Sequence, residues 1–463
     1  MPQLEIISLT AAAIQFTVFI IVILLCREKS TYRIYVSDPK RWGTAAIAIA
    51  NTSTVIGGGM FFAITQIGFE AGVLGIYLGV IYLFGFAIFS MFCDQLTKKL
   101  KEHKVITFNQ LIGKTYSRRV ATLFSAVNAL LYFGMLSAQF VAVKLFFVYL
   151  APGANDWYIL LPIAAFALNL FSYPIFGGLR RDIVGDLCQF AVIAIGSVII
   201  GIALFKYGEV FSWKDRLQAA HWTGMSYGLD FVIVAILFIT PTFFVRTDMW
   251  QRVGAAKSPR QAKIGFLIAG VLSFAAFVLF TMTGMAAYAT GVKGLPQTAA
   301  IAYFSNFLHG PLMGIVLGTF LSAVLSTADT YVNNLAIHAT SLFWPVEKDE
   351  KVALKRIRYA SLGLVFAAGL FGYWVSDIVE LFVASFSLLL IFFNPVFGIW
   401  SPKWRSELAA FGSILVSILA FFIACFIWSP KSAFVPASII SFVAYACIRQ
   451  FEKSYLVKSV LQS

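Results

Sequence analysis

From Leu321 to Thr330 the chain reads LSAVLSTADT, which sets hydroxyls and a carboxylate in the middle of a long apolar stretch. Lipid does not tolerate such groups without a use for them. On a helix, residues three and four apart share a face, so the carbonyl of Ala323 and the hydroxyls of Ser326 and Thr327 converge on one point. Neutral oxygens converging in this way suit a hard monovalent cation, whereas a tight divalent site draws on several carboxylates. Ser and Thr also bond back to carbonyls of their own helix, and this stretch alone does not separate the two uses. Bond-making chemistry fits less well, because the intramembrane Asp186, Asp329 and His338 have neither the spacing of a nucleophile with its base nor that of a metal cluster. No enzyme is expected.

The elements that must hold this stretch are membrane spans. Of 463 residues 60% are hydrophobic and only 12% charged, more apolar surface than a soluble fold can hide. Apolar runs fall at about 4–26, 44–65, 72–93, 121–150, 157–178, 183–206, 228–247, 264–290, 311–343, 357–375, 378–400, 407–428 and 433–448. They predict an all-α integral membrane protein of about thirteen transmembrane helices in a single membrane domain, 1–463. In such a chain the net charge of +14 reports topology and does not call for nucleic acid. Arg27 to Arg41, Lys98 to Arg119, Arg180 with Arg181, Arg246 to Lys263, Lys348 to Arg358 and the tail from Arg449 are basic. The opposite connections hold only Lys206, Lys214, Arg216, Lys293 and Lys431. That bias puts the N-terminus outside and the C-terminus in the cytosol of a plasma (inner) membrane protein. Trp42, Trp157, Trp344, Trp374, Trp400 and Trp428 at span ends agree with the same boundaries.

Two spans carry defects at matched depth. In the second, Asn51-Thr52-Ser53 leads into Gly57-Gly58-Gly59, and in the seventh Thr240-Pro241-Thr242 precedes Phe243 and Phe244. Irregular backbone at that depth must line a cavity or be buried in protein, and Pro cannot continue an interior helix bond. Paired broken segments are the sign of an inverted-repeat transporter. The repeats are expected over 44–206 and 228–400, with 4–26 as an extra N-terminal span and 407–448 as two C-terminal spans. Thr298 to Phe307 reads as a short amphipathic helix on the outer face. Lys144, near the outer end of its span, is expected to snorkel, and His338 to be a packing histidine.

Ala323-Val-Leu-Ser326-Thr327-Ala-Asp-Thr330 resembles the sodium-binding segment of the sodium:solute symporter family, which includes the sodium/proline and sodium/galactose symporters. Phe176-Gly177-Gly178-Leu179-Arg180 with Asp186 and Gln189 is similar to its signature, and Gln251-Arg252 with Ala255, Ala256 and Lys257 to its Gln-Arg pattern. The resemblance runs from about 40 to 450. It implies a five-plus-five inverted-repeat core and a sodium-coupled symporter that imports a small organic solute by alternating access. A sensor on the same fold and a proton-coupled carrier are the alternatives. It implies a sodium site of the carbonyls of Ile49, Thr52 and Ala323 and the hydroxyls of Ser326 and Thr327. Asp186, Asp329 and Thr330 match a second cation or proton site, although a salt bridge from Asp186 to Arg180 or Arg181 competes with that role. Asn51 is the leading solute contact. Gln66 and Gln139 either face a cavity or tie two helices, and Phe243 and Phe244 lie beside the place where the family has an aromatic gate. The expected partners are sodium, the solute and the lipid bilayer.

Overall fold

The structure, a computed structural model, describes residues 2–26, 31–150, 157–293, 296–343, 349–375, 378–427 and 434–461. Arg27, Lys29, Trp344, Lys348, Trp428 and Lys431 lie outside the described residues. The described chain is helical, and its elements run in order: α1 Pro2–Leu25, α2 Tyr32–Val36, α3 Thr44–Val55, α4 Gly58–Ala71, α5 Leu74–Met91, α6 Cys93–Glu102, α7 Phe108–Thr115 and α8 Arg118–Leu150. Next come α9 Trp157–Phe176, α10 Leu179–Tyr207, the short α11 Trp213–Arg216 and α12 Ala219–Thr223, α13 Gly228–Val245, α14 Thr247–Ala255 and α15 Pro259–Ala289. The remainder are α16 Ala299–Phe307, α17 Gly310–Phe343, α18 Glu350–Trp374, α19 Ile378–Leu390, α20 Phe393–Trp400, α21 Glu407–Ile427 and α22 Phe434–Leu461. Helix occupies every interval expected to span. Among the described residues seven helices are long and apolar enough to cross a membrane, or up to nine when each of two bent pairs counts as one span. The surface agrees with a multi-pass membrane protein: Phe205, Ile202, Phe366, Leu419 and Phe426 stand exposed on long apolar helices.

The two bent pairs are α3 with α4, at 60°, and α13 with α14, at 49°. In the first, α3 runs unbroken through Asn51, Thr52 and Ser53 and ends at Val55, so the interruption falls at Ile56 and Gly57. Glycine is required there because the partner helix comes too close for a side chain. A Cβ on Gly57 would collide with the Thr327 side chain, and one on Gly58 with Val324. Small residues of this kind let helices pack by contact in lipid, where no hydrophobic force draws them together.

The second break is not where the sequence suggested. Pro241 lies inside α13, and the chain leaves helical geometry at Arg246, with φ −72° and ψ 120°. Pro is tolerated in a span when its surroundings absorb the lost bond. The physical reason for the break at Arg246 is its ion pair: the guanidinium reaches Asp248 through Nε at 3.1 Å and Nη2 at 2.6 Å. In a continuous helix residues two apart do not face each other, so this pairing needs the extended residue between α13 and α14.

The core is held by α17, which packs on α1, α8 and α10, and by α15, which packs on α3, α4 and α5. Gln15 of α1 donates to the Gly318 carbonyl and to Ser322, each at 2.8 Å. The short helix expected at the outer face forms as α16, and its Tyr303 donates to the Ala203 carbonyl at 3.3 Å. Lys144, half-buried, brings its ammonium to a helix end. Its ammonium donates to the carbonyls of Gly372 at 3.4 Å, Tyr373 at 2.9 Å and Val375 at 2.5 Å, capping the C-terminus of α18. A cation there meets the negative helix end and three acceptors that no later turn can use. Lys144→Met is therefore expected to destabilise the protein by about 2 kcal/mol, with Lys144→Arg closer to the parent. Melting curves of the two variants in one detergent check this.

Candidate cation and solute site

The break between α3 and α4 frees carbonyls at the end of α3, because a helix leaves its last acceptors without donors. The Ile56 N–H takes the Thr52 carbonyl at 3.0 Å. The Ser53 and Thr54 carbonyls face α17 instead, 3.2 and 3.4 Å from the Thr327 hydroxyl, which also lies 3.1 Å from the Ala323 carbonyl. One hydroxyl has one proton, so it satisfies only one of these carbonyls at a time. Their remaining lone pairs and that of Thr327 form a compact set of neutral oxygens. Ser326, one residue earlier, turns toward α10 and donates to Asp186 Oδ1, which leaves its own lone pairs free to face a cation. Ala323 and Thr327 are thus together at the break, with the Ser326 hydroxyl on the α10 side of the same helix. From α3 the structure brings Ser53 and Thr54 to them through their carbonyls; these two the sequence did not single out. The Thr52 carbonyl accepts the Ile56 N–H with one lone pair and keeps a second, and Ile49 lies a turn earlier in α3.

Beside this set lies a buried charge cluster. Arg252 of α14, fully buried, donates from Nη2 to Thr54 Oγ1 at 2.6 Å and Thr330 Oγ1 at 3.0 Å. The same nitrogen is 3.5 Å from Asp186 and 3.7 Å from Asp182, and Nη1 is 3.4 Å from Asp248. Thr330 in turn donates to Asp182 at 2.8 Å. One guanidinium therefore ties together α3, α10, α14 and α17. The expected salt bridge from Asp186 to its sequence neighbours does not form: Arg180 pairs with Asp38 at 2.9 Å, and Arg181 binds the Ser172 carbonyl and hydroxyl. Asp329 is buried on α17 next to Thr330. The polar chain continues away from the break. Tyr132 donates to Asp248 at 2.8 Å, Thr247 lies 2.9 Å from both Tyr132 and Asn334, and His338 is 3.2 Å from Thr247 and stacked on Tyr132. His338 is thus a member of a buried network, more than a packing residue.

On the other side of the break the lining is aromatic. Phe61 meets Phe280 at 5.0 Å and Phe320 at 5.7 Å between ring centroids, and Phe320 stacks on Phe146 at 4.8 Å. They enclose a cavity of only about 30 Å³ that reaches Ala323. Rings therefore flank the break on one side and Arg252 on the other.

Of the expected solute contacts, Gln139 is at the break. A Cβ on Gly58 would lie 3.3 Å from its Oε1, and one on Gly59 3.5 Å from its Nε2 and 3.0 Å from the Phe382 ring. Gln139 Oε1 is buried without a hydrogen-bond partner among the described residues. Asn51 is buried, with its amide donating to Ile47 of its own helix at 2.7 Å and its oxygen unused. Gln66 is elsewhere, bonded to Glu70 one turn further along α4 at 3.2 Å. Phe243 and Phe244 are not at the break either: Phe243 packs on Tyr82 and Phe86, and Phe244 on Phe89 and Phe92. Phe382 is a further aromatic beside the break, and nothing in its local sequence marked it.

The profile of the sodium:solute symporter family matches residues 35–365. A search of curated proteins finds no match. Among solved structures the chain is similar to a sodium-coupled sialic acid symporter captured outward-open with substrate, with 15% identity, a TM-score of 0.79, and 95% of this chain and 96% of that one covered. It is also similar to Mhp1, a nucleobase-cation-symport-1 family transporter in a closed conformation with bromovinylhydantoin (14% identity, TM-score 0.58, 90% and 95% covered). A third likeness is to MhsT in complex with L-phenylalanine (14% identity, TM-score 0.51, 86% and 98% covered). At these identities the likeness shows the fold: a transporter core with broken helices.

Proposed function

Because the chain belongs to the sodium:solute symporter family, whose work is transport with sodium as the coupling ion and not bond chemistry, we propose that it imports a small organic solute by alternating access. Sodium binds among the carbonyls of Ser53, Thr54 and Ala323 and the hydroxyls of Ser326 and Thr327. The observation that carries this is the Thr327 hydroxyl set against the freed end of α3. Five neutral oxygens hold a monovalent ion weakly enough to release it. The solute lies next to Gln139 and Phe382, with the aromatic cluster as the outer closure and Arg252 as the inner one. The orientation that follows from the basic connections, N-terminus outside and C-terminus cytosolic, puts the Arg252 side inward. A potential of ~100 mV contributes about 2.3 kcal/mol per charge and a tenfold gradient about 1.4, so one sodium ion supports roughly 500-fold accumulation.

Asp186, Thr330 and Asp182 form the inner cluster in which Arg252 supplies the positive charge. While Arg252 stays there, a second sodium ion has to displace a guanidinium already bonded to its ligands. One sodium per solute is the stoichiometry this geometry favours.

The test is a melting screen of purified protein against metabolites in sodium and in potassium, since a ligand stabilises the state it binds by mass action. Sodium alone should raise the melting temperature, and the right solute should raise it further only in sodium, because linkage between the two sites is reciprocal. Equal stabilisation by the solute in potassium would refute sodium coupling and favour a proton-driven carrier or a sensor.

A further inference from the structure

On the face that carries the basic connections there is a cavity of about 680 Å³, against about 30 Å³ for the aromatic-lined one. Its cations are Arg33 of α2, Lys40, Lys101 and Lys104 at the end of α6, and Lys257 just after α14, against one lining carboxylate, Glu350. Among the described residues none of these five cations is in an ion pair. A concave wall with five like charges focuses the field on whatever anion enters.

Two of these lysines sit where a lysine is costly. Among the described residues four non-glycine residues have left-handed backbone, and Lys40 (φ 58°) and Lys104 (φ 51°) are two of them. Lys104 terminates α6: its N–H bonds to Lys101 and the next N–H, that of Val105, reaches back to Leu100. Glycine is the usual residue at such a helix end because it has no Cβ to strain. Lys40 makes the turn that lets Lys40, Arg41 and Trp42 pair with the Gly254 and Ala255 carbonyls at the end of α14. Glycine would make that turn without strain as well. Strained backbone persists where the surrounding structure fixes it, and it concentrates at functional positions.

We propose that this cavity is a binding site for a phosphate-bearing anion, held by Lys40, Lys101, Lys104, Lys257 and Arg33. The strain at Lys40 and Lys104 is retained because each places an ammonium on the cavity wall. The size suits a phosphorylated metabolite or a lipid headgroup, and juxtamembrane basic clusters attract both. A ligand there bridges α2, α6 and the end of α14, the helix whose Arg252 closes the transport site, so its binding braces that closure.

The experiment uses the full chain purified in neutral detergent and titrated with two probes, inorganic pyrophosphate and short-chain phosphatidylglycerol, by calorimetry at fixed ionic strength. Saturable binding of either probe supports the site. Lipid alone identifies a headgroup as the ligand, and pyrophosphate alone a soluble phosphate. The Lys40→Gly/Lys104→Gly variant should bind about thirtyfold more weakly while its melting temperature without ligand is unchanged or raised, since the strain is relieved. Lys101→Gln/Lys257→Gln, which leaves the backbone strain in place, should lose affinity to a similar extent. Lys98→Gln, outside the cavity, should not. The proposal is overturned if neither probe binds beyond the effect of sodium chloride at equal ionic strength, if the glycine variant binds as tightly as the parent, or if Lys98→Gln loses as much affinity as the cavity variants.

Discussion

Arg252→Met is expected to abolish transport and to loosen the inner half of the site, because it leaves three buried carboxylates facing one another. In the parent the Arg252 guanidinium is fully buried within 3.7 Å of Asp182, Asp186 and Asp248, and Arg246 alone would remain to face Asp248. Removing one partner of a buried ion pair typically costs about 3–5 kcal/mol, chiefly by leaving the other charge uncompensated. The same change also removes the bonds to Thr54 and Thr330 that tie α14 to α3 and α17. Hydrogen exchange should therefore accelerate in the last turn of α3 and throughout α14, where the four-helix tie has gone, and less in α5 or α15. Arg252→Lys keeps the charge but loses the planar fork that reaches two hydroxyls and three carboxylates at once, so it should rescue stability more than transport. Adding Asp182→Asn to Arg252→Met removes one of the stranded charges and should recover part of the lost stability. Parental exchange rates at both α3 and α14 in Arg252→Met would show that Arg252 does not hold the closure.

The parts of this site that were legible in the sequence are those whose partners are local. Ser326 and Thr327 stand out because hydroxyls on an apolar helix are conspicuous, and Gly57 because a run of glycines weakens a helix at a depth where lipid offers its backbone no water to bond. Asp186 was visible as a charge among apolar residues, but its partner was not. The chain offered Arg180 and Arg181 within a helical turn or two, whereas the actual partner, Arg252, lies on α14, 66 residues away. Long-range pairing of charges is set by how helices pack, and hydropathy carries no record of it. Helix phase was the second obstacle. Phe243 and Phe244 are near the break in sequence, yet α13 continues through Pro241 and turns their rings onto α5, while Phe382 from a distant helix takes the place beside Gly59. The position of the second break depended on the pair Arg246 and Asp248, two residues apart and conspicuous as charges, whose mutual bond needs a non-helical residue. The helix end falls at Val55, so the Ser53 and Thr54 carbonyls also turn toward Thr327, which hydropathy did not mark.

Thr327→Ala should raise the sodium concentration needed for half-maximal binding by roughly 10- to 150-fold, while Thr327→Ser stays near the parent. Among the described residues the hydroxyl is the one side-chain oxygen that faces the freed carbonyls of Ser53 and Thr54 and its own Ala323 carbonyl together. In a set of five neutral oxygens it has no substitute. A bond between a charged group and a neutral dipole contributes about 1.5–3 kcal/mol, which corresponds to roughly 10- to 150-fold in affinity. Truncation also removes the donor that these carbonyls use when the ion is absent, so the ion-free protein loses part of its hold between α3 and α17 as well. The serine variant separates these effects, since it keeps the oxygen and proton and drops only a methyl group. Sodium binding by the purified protein, read as the sodium dependence of its melting temperature, gives the comparison without knowledge of the solute. Ser326→Ala should weaken sodium too, but it also deprives Asp186 of a donor, so its stability without sodium should fall further than that of Thr327→Ala. If Thr327→Ala keeps the parental sodium dependence while Ser326→Ala loses it, the ion lies on the α10 side of the helix, next to Asp186, and the site proposed at the end of α3 is misplaced.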